Sequence, residues 1–172
     1  MAQITQETLN SIMELYHSGK LEEAEAKVKE LLSESPNEIA ILNILGIIQD
    51  AKKEYEKAIK TYKKALDLNT DVPETHFNMG SLLHRQGKNE EAMTSYKKAI
   101  DLKSDFVNAY FNLGLVSQNI GDYEKAIENY KKAIELQPDF HESIGALGTI
   151  LQTQGKLEEA IEYYKKALSI QA

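Results

Sequence analysis

Residues 107–140 read VNAYFNLGLVSQNIGDYEKAIENYKKAIELQPDF. The YKKA at 130–133 inside that stretch recurs at 62–65, 96–99 and 164–167, each copy 34 residues after the one before. A spacing held that strictly makes the chain its own alignment. Blocks of 34 starting at Thr5, Ile39, Pro73, Val107 and His141 place five copies in register over residues 5–38, 39–72, 73–106, 107–140 and 141–172. A residue that recurs down a column reports what every copy needs to fold, and one that varies marks a position the scaffold leaves free.

Column eight holds Ile12, Gly46, Gly80, Gly114 and Gly148, and column twenty holds Ala24, Ala58, Ala92, Ala126 and Ala160. Small residues at fixed helical phase mark places where two helices approach closely. Column fifteen holds Gly19, Lys53, Gly87, Gly121 and Gly155, at a spacing that ends one helix before the next begins. Columns 4, 7, 8 and 11 form one helical face, as in Ile144, Leu147, Gly148 and Leu151. Columns 17, 20, 21, 24, 27 and 28 form a second, as in Tyr123, Ala126, Ile127, Tyr130, Ala133 and Ile134. Each block therefore predicts two helices, A and B. Pro36, Pro73 and Pro138 all fall at predicted helix boundaries, where a missing N–H is tolerated.

These columns resemble the tetratricopeptide repeat, which has a 34-residue period, small residues at 8, 20 and 27 and a proline near 32. Residues 107–140 carry the pattern most fully, with Tyr110, Leu113, Gly114, Gly121, Tyr123, Ala126, Tyr130, Ala133 and Pro138 at signature positions. The resemblance extends over 5–172. It departs at Ile12 and Leu31 for small residues, Val28 for the aromatic at 24, Lys53 for the turn glycine, and Thr70 and Ser104 for the proline. It implies an all-α fold, a right-handed superhelical solenoid of antiparallel helix pairs, and no linker divides residues 1–172, which are expected to form a single domain.

Composition narrows the function classes. The 172 residues include 42% hydrophobic and 27% charged side chains, a balance expected of a folded chain. The absence of cysteine rules out disulfides and thiolate metal sites. His17, His76, His84 and His141 lack a helical ligand spacing, so no metal or cofactor is expected. A formal charge of −7 argues against nucleic acid, which is bound by clustered Lys and Arg. MAQITQETLN lacks the basic and apolar regions of a signal peptide, and no run is long enough to span a bilayer, so a cytoplasmic location is expected. Ser81, Ser95 and Ser117 sit in no nucleophile turn, and GKNEEA and GKLEEA are inter-helix turns rather than phosphate loops; the chain is expected not to be an enzyme.

In YKKA the tyrosine and alanine should face neighbouring helices while the lysines face out, where Glu128 with Lys132 and Glu162 with Lys166 form i,i+4 pairs. Function then falls to the variable columns. Columns 5, 9 and 12 lie on a helix A face that, by the family resemblance, lines a concave groove: Leu9, Met13 and Tyr16; Asn43, Ile47 and Asp50; Phe77, Ser81 and His84; Phe111, Leu115 and Gln118; Gly145, Thr149 and Gln152. Asn10, Asn78 and Asn112 in column six resemble the asparagine ladder in the repeats of O-GlcNAc transferase, interrupted here at Ile44 and Ala146. The candidate peptide-binding residues are Phe77, Asn78, His84, Arg85, Phe111, Asn112, Leu115, Gln118 and Asn119, with His84 and Arg85 as the basic pair. No copy has the lysine and asparagine with which some members of the family clamp a chaperone's C-terminal carboxylate. The expected role is a scaffold for a protein or extended peptide. The alternatives are a substrate-recruiting arm of a larger enzyme, such as a glycosyltransferase, and a self-assembling module that associates through the apolar Ile161, Tyr164, Leu168 and Ile170 of the last helix.

Overall fold

The computed structural model describes residues 5–171. Residues 1–4 and 172, which include the start of MAQITQETLN and the last residue of the fifth block, lie outside them. Among the described residues the chain is all-α, with ten helices and no strand. They are α1 (Gln6–His17), α2 (Leu21–Glu34), α3 (Ile39–Ala51), α4 (Tyr55–Leu68), α5 (Pro73–Arg85), α6 (Asn89–Leu102), α7 (Val107–Asn119), α8 (Tyr123–Leu136), α9 (His141–Thr153) and α10 (Leu157–Gln171). Odd-numbered helices are helix A of a block and even-numbered ones helix B. Pro73 opens α5, where its fixed φ suits the first helical residue. The chain divides into two compact units, Met1–Leu82 and Leu83–Ala172, with the boundary inside α5.

In the first unit α3 packs on α2 and α4, and Ile12, Ala24, Val28, Ile41, Leu45 and Ile48 form one buried cluster. In the second, Ala126, Tyr130 and Ile150 form one cluster and Leu147, Leu151 and Ala160 another, with Ile127 packed against both. The repeated YKKA is oriented as expected. Tyr62, Tyr96 and Tyr130 and the paired Ala65, Ala99 and Ala133 are buried, whereas Lys63, Lys64, Lys97, Lys98 and Lys131 are exposed. The ion pairs differ in detail: Lys132 reaches Glu135 at 2.9 Å rather than Glu128, and Lys64 donates to the Pro36 carbonyl at 2.7 Å.

Column eight is small because of column twenty-four. A Cβ built on Gly114 would lie 2.6 Å from Cε1 of Tyr130, and one on Gly148 would lie 2.9 Å from Cε1 of Tyr164, while Gly46 stands in the same relation to Tyr62. The tyrosine ring lies over the bare backbone of its own helix A. Block one departs at both columns together. It has Ile12 where the glycine stands and Val28 where the tyrosine stands, and both are fully buried in the same cluster. Volume removed from one helix is returned on the other.

The A-to-B turn requires a left-handed residue. Gly19, Gly87, Gly121 and Gly155 have φ of 76°, 74°, 82° and 77°, and Lys53 takes the same conformation at φ 62°. Its turn closes as the others do, with the Lys53 N–H on the Asp50 carbonyl and the Glu54 N–H on the Gln49 carbonyl. A Cβ in this region crowds the following carbonyl at a cost of roughly 1–2 kcal/mol. Lys53→Gly is therefore expected to stabilise the protein by about 1 kcal/mol and raise Tm by roughly 2–4 °C, measured by thermal unfolding.

Where block two lacks the loop proline, side chains hold the bend. His76 Nε2 lies 2.8 Å from the Thr70 carbonyl, and the Asp71 N–H donates to Asn69 Oδ1 at 2.9 Å. His76 is thus a packing and loop-holding residue.

Candidate functional site

The variable columns of helix α7 place Phe111, Leu115, Gln118 and Asn119 at i, i+4, i+7 and i+8, on one side of a helix whose opposite side is held by buried Ala109, Leu113 and Val116. Phe111 is half-buried. Its ring meets Tyr130 at a centroid distance of 5.8 Å and Phe140 edge-on at 5.2 Å and 75°. Leu115 packs on the same cluster, beside Ala146. The scaffold was not expected to require apolar residues here, yet both pack against its core. Each gives part of its surface to the core and presents the remainder outward.

The polar members of the face are tied down too. Tyr130 donates its hydroxyl to Gln118 Oε1 at 2.8 Å. Burial raises the tyrosine's pKa, so the hydroxyl stays protonated and the bond persists. Gln118 therefore offers a ligand only the other end of its amide. Block five repeats the arrangement, with Tyr164 donating to Gln152 at 2.8 Å.

Asn119 Nδ2 lies 2.8 Å from His84 Nε2, which brings together two candidates 35 residues apart in sequence. An amide nitrogen can only donate, so His84 Nε2 accepts and the ring proton sits on Nδ1. Burial holds His84 below the ordinary histidine pKa. The basic pair foreseen from the sequence is thereby corrected: His84 is a neutral acceptor near pH 7, and the cation is Arg85. Arg85 and Asn112 each hold an interaction within the fold already.

Phe77 and Asn78 lie on α5 in the first unit, both half-buried, with Ser81 Oγ turned back to the Phe77 carbonyl at 3.1 Å. Elsewhere in that unit Asn43 and Asp50, which the column pattern assigned to the groove, are buried at 9% and 7% exposure. Of the column-six asparagines, Asn10 accepts from Gln6 Nε2 at 3.0 Å. In block five Gly145 faces open space and Thr149 bonds back to its carbonyl at 3.1 Å, so that segment presents no apolar side chain in those columns.

Phe140 was not among the candidates although it backs Phe111. It stands in the last column of its block, just before α9, and an aromatic residue also occupies that column at Phe106. Among the described residues no three His, Asp or Glu side chains come together as a metal site, and no helix is long and apolar enough to cross a membrane.

Comparison with known proteins agrees with the helix-pair architecture. A family model described as TPR repeat matches residues 51–87 and 80–121, and one described as Tetratricopeptide repeat matches 107–140 and 143–171. The chain is similar to the crystal structure of MamA, with 30% identity and a TM-score of 0.80 over 92% of each chain. It also superposes on PilF of Pseudomonas aeruginosa at 21% identity and a TM-score of 0.87, over 94% of this chain and 74% of that one. A third structure, YrrB, described as a TPR protein with an unusual peptide-binding site, matches at 21% identity and a TM-score of 0.71 over 95% and 84%. A probable biofilm formation methyltransferase, WspC of Pseudomonas putida, is 31% identical over 81 residues, which are 47% of this chain and 19% of that protein. The repeat columns, the helix pairs and the family matches agree: the chain belongs to the tetratricopeptide repeat family.

Proposed function

We propose that this chain is a non-catalytic scaffold that binds a protein segment or extended peptide, without nucleic acid, on the helix A face of its second unit. The observation that carries this reading is the pairing of half-buried Phe111 and Leu115 with the Asn119–His84 bond beside them. The rings of Tyr130 and Phe140 hold Phe111 in place, so it meets a ligand already ordered and loses little side-chain freedom on binding. An extended segment would set one apolar side chain against Phe111 and Leu115. Its backbone would exchange hydrogen bonds with Asn112, Gln118 and Asn119, and an acidic group would meet Arg85. Phe77 and Asn78 are proposed as further contacts, tested separately because they belong to the first unit. The formal charge of −7 supports the exclusion of nucleic acid, and a cytoplasmic setting is proposed with it.

The test is a peptide selected by display against the whole chain. Phe111→Ala should weaken its binding about tenfold or more, as should Phe77→Ala and Asn112→Ala, and Asn119→Ala by several-fold, while Lys97→Ala leaves it unchanged. Asn119 is exposed, so its replacement separates loss of a contact from loss of fold. Binding that survives the substitutions on α7 and disappears with the outward lysines would move the site to the other face.

A second reading, a recruiting arm within a larger enzyme, is favoured by the match to part of a protein named as a methyltransferase. A catalytic domain in the same reading frame would establish it.

A further inference from the structure

Helix α10 carries the largest exposed apolar residues of the second unit. Leu157, Ile161 and Leu168 are 58%, 50% and 66% exposed. Their counterparts one block earlier are Tyr123, Ile127 and Ile134. Of these, Ile127 and Ile134 are half-buried because Leu147, Ile150 and Leu151 of α9 lie against them. The face of α10 is thus built to the same pattern as a covered face, and nothing among the described residues lies over it.

The other end of the repeat array does not supply the cover. The residues that lie over a helix B face come from columns seven and ten of helix A: Leu45 and Ile48, Leu113 and Val116, Leu147 and Ile150, all buried. In α1 those columns hold Ser11 and Glu14. Ser11 accepts from Lys27 Nζ at 2.8 Å and Glu14 is exposed. Placing that polar face on α10 of another copy would bury a carboxylate against isoleucine and leucine, so head-to-tail stacking is disfavoured.

We propose that α10 is a self-association surface, and that it pairs with α10 of a second copy in antiparallel, two-fold fashion. Leu157, Ile161 and Leu168 follow one another at spacings of four and seven, the seam of a two-helix contact. Antiparallel pairing that sets Leu157 against the partner's Leu168 leaves Ile161 near the two-fold axis. It also brings exposed Glu158 within a turn of the partner's Lys165, once on each side of the axis. A parallel arrangement would turn the flank carrying Glu158 and Lys165 toward the partner's opposite flank, where Ala160 and Ala167 stand, and would pair neither charge. The charges flanking the stripe therefore select the antiparallel partner. The contact is small, so association is weak and reversible.

Sedimentation equilibrium of the full chain, from low micromolar to near-millimolar concentration, tests this. The mass should rise from one chain to two. Ile161→Glu with Leu168→Glu should weaken association about tenfold or more, with far-UV helicity retained because both side chains are already half exposed or more. Lys165→Glu alone should weaken it several-fold, and adding Glu158→Lys should return it. Glu158 and Lys165 are seven residues apart and do not touch within one helix, so that rescue reads the contact between copies. A chain that stays monomeric throughout, a dimer indifferent to Ile161 and Leu168, or a charge reversal that the second reversal leaves unrepaired would each overturn the proposal.

Discussion

Gly114→Ile should lower Tm by roughly 5–10 °C, the largest single-residue loss expected in the second unit, whereas Lys131→Ala, at an exposed position of α8, should leave it unchanged. The cause is the ring of Tyr130, which occupies the space the first carbon of any side chain at 114 would need. Tyr130 is fully buried, bonded through its hydroxyl to Gln118 and packed at a tilt against Phe111, so it has nowhere to retreat. Block one supplies the repair. There isoleucine and valine fill the space that glycine and tyrosine fill elsewhere, so adding Tyr130→Val to Gly114→Ile should recover part of the lost stability. The recovery is partial because the hydroxyl bond to Gln118 and the contact with Phe111 go with the ring. Thermal unfolding of the two single variants and the double gives the coupling directly. Additive losses would mean that the two columns do not share one space.

That coupling shows where reading by columns ends. The two helices of each block, the outward lysines and the turn residues were all legible, because each is a local matter of periodicity and backbone conformation. Ile12 and Val28, taken singly, read as two departures from the pattern and together are one substitution of shape. Pairings across helices were invisible for the same reason. Nothing local to Gln118 announces that its carbonyl oxygen is used by Tyr130, and nothing local to Phe111 announces that Phe140 backs it. The candidate face was therefore singled out by its variability, which says nothing of how far its side chains are tied into the core. His84 shows the same limit in charge: burial turns a residue counted as basic into an acceptor for Asn119, and burial is a property of the assembled helices. Asn43 and Asp50 stand in columns that the family resemblance assigns to a groove, yet are buried.

Glu25→Gln should destabilise the first unit at neutral pH and cease to matter in acid. Glu25 is 6% exposed on α2, with one carboxylate oxygen 2.6 Å from Lys29 Nζ and the other 2.6 Å from Lys52 Nζ, so both oxygens are engaged. Lys52 comes from the end of α3, 27 residues away, and carries Glu22 at 3.6 Å and Glu54 at 3.9 Å as further neighbours. The hydrogen bonds from Lys29 and then Lys52 hold the Glu25 carboxyl below its ordinary value of 4.5, against the opposing effect of burial. A carboxyl whose folded pKa is depressed contributes stability that is fully present above the unfolded value and is lost as pH falls through the folded one. The same bond raises the Lys52 pKa above 10.5, so its share is present below that value and is lost as pH rises through the folded one. Neutralising Glu25 takes from Lys52 its nearest carboxylate and leaves it Glu22 and Glu54 at 3.6 and 3.9 Å. A fall in Tm of roughly 5 °C at pH 7 is expected, shrinking progressively below pH 4.5 as the native carboxyl takes up its own proton. Thermal unfolding of both proteins across that range measures it. A Tm difference that persisted undiminished in strong acid would assign the loss to shape rather than to charge. Lys29→Ala should cost less at every pH, because Lys29 is 63% exposed and water replaces much of what it provides.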